Sequence, residues 1–116
     1  MFSSDKMDIH AAEKFWNEFS GKEEWIINGL SKNPLTVVDF VDALIKPVFP
    51  YFKRELEFQL GFNDGVGEFF FYHLDNASLI RDSQTLKDMM PDELKEHWKF
   101  IIEPRSEERR VGKECR

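Results

Sequence analysis

The chain has 116 residues, with 16 basic and 22 acidic side chains, a formal net charge of −6 and an aromatic share of 15% that includes twelve Phe. That length suffices for one core of modest stability, and the acidic balance repels phosphate backbones, which argues against a nucleic-acid partner. A single cysteine, Cys115, leaves no disulfide or thiolate metal site to expect, and no apolar run has the length of a secretory signal or a membrane span.

Residues 1–7 are short and polar and read as a flexible lead-in, with Met7 an alternative start. From Asp8 to about Leu30 the apolar residues Ile9, Ala12, Phe15, Trp16, Phe19, Ile26, Ile27 and Leu30 recur at helical spacing. This predicts one long helix capped by Asp8, with a weak point where Ser20-Gly21-Lys22-Glu23 resembles a capping box. Asn33-Pro34 closes it. A second helix is predicted from Thr36, as its cap, to Ile45; it is apolar almost all round, which implies burial on more than one side. Pro47 and Pro50 then force an extended connection.

Leu56, Phe58, Leu60 and Phe62 alternate with Glu55, Glu57, Gln59 and Gly61, the period of a half-buried strand. Asp64-Gly65 suits a type I′ turn, which needs positive φ at both central residues. Pairing about that turn sets Leu60 opposite Phe69, Phe58 opposite Phe71 and Leu56 opposite His73. Asp75-Asn76 can cap a further helix, from about Ala77 to Met90, and Pro91-Asp92-Glu93 opens another helical turn. Trp98 to Glu103 alternates as a third strand, stopped by Pro104.

The predicted order is α-α-β-β-α-β in a single α+β domain spanning 8–104, a half-ferredoxin-like sheet of about three strands covered on one face by helices. The third strand could lie beside the first, giving an antiparallel sheet, or beside the second, giving a parallel pair with a right-handed crossover. Residues 105–116 have neither period nor turn logic and look like the translation of a sequencing adaptor. They are read as a non-native, disordered tail that interrupts a longer natural chain, against the alternative of a natural basic tail. Those residues hold five basic and three acidic groups, which leaves 11 against 19, a net charge of −8, over 1–104.

Three stretches resemble a family of small, uncharacterised bacterial α+β proteins. They are the Phe15-Trp16-Asn17-Glu18-Phe19 helix, the Leu56–Gly61 and Gly65–Phe69 strands (Leu-x-Phe-x-Leu-Gly and Gly-x-Glu-Phe types), and the run from Asp75-Asn76 through Pro91–Leu94 to Trp98–Phe100. The resemblance covers about Phe15 to Pro104. It implies a fold and further strand segments beyond it, and it carries no catalytic residue.

The register assigns Leu56, Phe58, Leu60, Phe69 and Phe71 to a core shared with Phe15, Phe19, Trp98, Phe100 and Ile102. Glu57, Gln59, Phe70, Tyr72 and Leu74 fall on the opposite face, which mixes polar and large apolar groups and so suggests a partner surface, unless the helices or further chain cover it. His73, with Asp75 and Glu57 or Glu68 near it, is the one local acid–base candidate. Asp75 suffices as a helix cap, and no third ligand is spaced for a metal, so a structural role is expected for His73. The acidic side chains Glu55, Glu57, Asp64 and Glu68 read as a solvated edge that discourages strand aggregation, or as an attractor of a basic partner. Phosphate loops and nucleophile elbows are absent.

The expectation is therefore a cytoplasmic, non-enzymatic interaction domain without metal or cofactor. Its partner would be another protein, or a second copy, with a toxin-neutralising immunity role as one form. The alternatives are a small-molecule-binding protein or hydrolase with a pocket near His73, and a fragment whose working residues lie elsewhere.

Overall fold

A computed structural model describes residues 6–104. The adaptor-like tail and five residues of the predicted lead-in lie outside the described residues. Lys6 and Met7 are described, and Met7 packs half-buried against the core.

Helix α1 spans Ile9–Gly21, and Asp8 caps it by accepting a hydrogen bond from the Ala11 N–H at 3.0 Å. The predicted long helix is in fact two. Lys22 turns out of helical geometry at φ −111° and ψ 16°, and α2 runs from Glu23 to Lys32. The Ser20 capping box is not used. Glu23 and Glu24 instead occupy the first turn of α2, where the helix dipole favours negative charge. Helix α3 (Pro34–Ile45) starts two residues before the predicted Thr36 cap, because Pro34 fits a first turn that needs no N–H. A 3₁₀ turn at Lys46–Val48 then leads toward the sheet.

Strands β1 (Glu57–Asn63) and β2 (Val66–Tyr72) form the predicted hairpin, with Phe58 opposite Phe71 and Leu60 opposite Phe69. Asp64 and Gly65 carry φ of 54° and 79°, as the turn chemistry requires. After β2 the chain passes through α4 (Ala77–Asp88) and α5 (Asp92–Lys95) to β3 (Trp98–Glu103), which pairs parallel to β2. The sheet order β1-β2-β3 puts the strand that is apolar on both faces in the centre. The molecule is thus of the α+β class with a mixed three-stranded sheet, and β3 takes the second of the two expected places, directly beside β2.

Two local expectations change. Helix α4 is capped by Asn76, whose Oδ1 accepts from the Leu79 N–H at 3.0 Å, and it stops at Asp88 rather than Met90. Strand β2 ends at Tyr72, and Leu74 and Asp75 turn the chain with φ of 54° and 60°, so Leu74 is not part of a strand face.

The core forms where α1 meets the sheet. Phe15, Trp16 and Phe19 project from one face of α1 onto Phe69, Trp98 and Phe100, with ring centroids 5.0–6.2 Å apart. Seven of the ten predicted core residues are buried: Phe15, Phe19, Leu56, Phe69, Phe71, Trp98 and Phe100. Phe58, Leu60 and Ile102 pack against this cluster only half-buried, because β1 and β3 are the edges of the sheet. Gly67 allows a close approach, because a Cβ there would overlap the Trp98 ring. The Trp16 Nε1–H donates to the Leu86 carbonyl at 2.9 Å, which ties α1 to α4 with a buried bond. Among the described residues no helix is long and apolar enough to cross a membrane.

Candidate protein-interaction edge

The two-residue turn makes Asn63 and Val66 the first hydrogen-bonded pair of the hairpin, and such pairs recur at every second residue. Glu57, Gln59, Gly61 and Asn63 therefore direct their backbone groups at β2. Phe58, Leu60 and Phe62 direct theirs outward, away from the sheet. Among the described residues no strand pairs with that outer side of β1.

Helix α3 borders this edge. Val37, Val41 and Ile45 recur at four and are buried, which leaves Val38, Asp39 and Asp42 on the flank nearer β1. Between that flank and the strand lies a hollow of about 470 Å³, bordered by Val38, Asp39 and Asp42 on one side and residues 55–59 with Tyr72 on the other. A second hollow of about 380 Å³ continues along the strand past Leu60 and Gly61 to Phe70, and it shares Val38, Phe58 and Gln59 with the first. Together they form one open groove that follows the unpaired edge.

The groove is electrostatically one-sided. Asp39, Asp42, Glu55 and Glu57 line its first part, and none of them belongs to an ion pair found among the described residues. Lys46, Lys53 and Arg54 gather in a neighbouring hollow with Phe52 and Glu55, beyond the start of β1.

The predicted interaction face divides. Glu57 and Gln59 are exposed on β1, whereas Tyr72 is 1% exposed and its hydroxyl donates to Gln59 Oε1 at 2.7 Å. Phe70 is half-buried, and Leu74 has left the strand. The accessible part of that face is thus its β1 half, and the broad apolar patch expected from β2 is not open. Sequence reasoning missed Val38, Asp39 and Asp42; the one available signal was the pair of Asp residues three apart interrupting an otherwise apolar helix.

His73 is half-buried, and its Nδ1 accepts the Asp75 N–H at 3.0 Å, so that ring nitrogen serves the turn into α4. A second histidine, His97, lies 3.2 Å through Nδ1 from Glu23 Oε2, which also accepts the Trp98 Nε1–H at 3.1 Å; this carboxylate holds α2 against β3. Asp82 of α4 is the buried acid. Burial pushes its carboxyl up, but hydrogen bonds from Arg81 and the Tyr51 hydroxyl, the Arg81 charge and the Met7 N–H together hold it below its ordinary value. No group of three His, Cys, Asp or Glu able to hold a metal ion occurs among the described residues.

No protein-family model, curated protein or solved structure matches this chain.

Proposed function

We propose that this chain is a non-catalytic protein-interaction domain that receives a basic protein partner along the β1 side of its sheet. The observation that carries the reading is the coincidence of four carboxylates, outside the ion pairs found among the described residues, with the groove beside the open β1 edge. Carboxylates without counter-ions raise the local concentration of a cationic partner and are neutralised when it docks. An immunity-like neutralisation of a basic protein would use the same chemistry. Self-association through this edge is disfavoured, because a second copy would bring Glu57 and its acidic neighbours against like charges.

The alternative of a catalytic pocket at His73 has less support, since the Nδ1 lone pair is occupied by a backbone N–H. Calorimetric titration with a lysine- and valine-containing heptapeptide at low ionic strength tests the favoured reading. The Asp42→Asn/Glu57→Gln variant should bind it about tenfold more weakly while melting at nearly the same temperature. Equal binding by the variant would refute a role for these carboxylates.

A further inference from the structure

We infer that the partner enters as an added β-strand: an extended segment of alternating basic and apolar residues that hydrogen-bonds to the outer edge of β1. This inference rests on the basic-partner reading and specifies its geometry. Strand addition needs three things, and each is present. Backbone donors and acceptors must face outward at a two-residue repeat, and Phe58, Leu60 and Phe62 supply them from a seven-residue strand. Room must exist beside them, which the continuous groove between β1 and α3 provides. The incoming side chains must also find complementary surroundings on both faces of the extended sheet.

The two faces differ in a way that selects the occupant. On the helix side, an added strand would set alternate residues beyond Phe58 and Leu60 and beneath Val38, where small apolar side chains suit the half-buried surface. On the other side, the intervening residues would stand beside exposed Glu57 and Gln59, where Lys or Arg gains and Asp or Glu loses. Asp39, Asp42 and Glu55 extend the same preference to one end of the segment. At about 3.4 Å per residue, five to seven residues would cover the edge. The acidic flank that discourages a second copy of this chain is therefore the feature that admits a cationic strand from another protein.

The test separates backbone pairing from charge. Three peptides share the sequence Lys-Val-Lys-Val-Lys-Val-Lys with blocked termini: the parent, one with N-methyl groups on its valines, and one with N-methyl groups on its lysines. In a strand, successive residues direct their N–H groups to opposite edges, so each methylated peptide loses donors on one edge only. The expected result is that one methylated peptide binds at least tenfold more weakly than the parent and the other within about threefold. Amide exchange at Phe58, Leu60 and Phe62 should slow with the parent peptide. If both methylated peptides match the parent, or both lose affinity alike, strand addition is overturned while attraction of basic segments stands. If none of the three binds at low salt, the basic-partner reading falls as well.

Discussion

Single side chains hold this fold together at a few joints where elements distant in sequence meet. Asp82 is the most consequential, because it gathers Tyr51 from the connection before β1, Arg81 beside it and the Met7 backbone ahead of α1. Folding favours its charged form, since its carboxyl titrates below the ordinary value of 3.8. That contribution is complete above the unfolded value, near pH 4, and is lost as pH falls through the lower folded value. Asp82→Asn should therefore destabilise the protein by about 1–3 kcal/mol at neutral pH and flatten the loss of stability below pH 4. Urea midpoints measured from pH 2.5 to 7 would show both effects, and an unchanged acid limb would remove Asp82 from the account. Gly67 is a second joint. A Cβ there would overlap the Trp98 ring, so Gly67→Ala should cost about 1–3 kcal/mol by displacing β3 from β2. Gly61→Ala, on the same hairpin with nothing within 4 Å of the added carbon, is the control that should be close to neutral.

Among the elements, the hairpin was the most legible from residues alone. Strict alternation sets the faces, and Asp64-Gly65 sets the register, so two local rules agree without help from the rest of the molecule. The class and the limits of β3 were legible for the same reason. The α1–α2 break was harder: Phe19 and Ile26 keep helical spacing across Ser20 to Glu23, so the residues mark only a weak point where the folded chain turns at Lys22. The place of β3 was hidden because the apolar faces of β2 say that it is central but not which neighbour runs parallel to it. The groove was hidden too, since α3 and β1 are separated by a long connection and meet only in the folded state. At the start of α4, Asn76 rather than Asp75 is the cap. Asn76→Ala should lower stability by about 1 kcal/mol, while Asn76→Ser, which keeps an acceptor for the Leu79 N–H, should retain most of it; thermal melts of the pair would decide.

For the whole molecule, charge governs behaviour as much as packing does. Eleven basic groups face nineteen acidic ones over 1–104, and the four ion pairs found among the described residues include two with histidine. Self-repulsion should then outweigh attraction at the surface, so raising salt from about 0.01 to 0.5 M should raise Tm, while the same change weakens binding of basic peptides. Scanning calorimetry and titration at matched ionic strengths would check the two opposite trends. A Tm that falls with salt would mean that attractive pairs dominate.

The parallel seating of β3 also has a consequence for how the protein is made. Residues 73–97 separate the central strand from the neighbour that completes it, so on a ribosome adding about 5–20 residues per second β2 emerges with one ladder side empty for roughly one to five seconds. During that interval Phe69 and Phe71 lack the cover of Phe100, and the nascent hairpin is a template for any passing extended chain. Early engagement by a chaperone, or slow yield at high expression rates, follows from the topology itself.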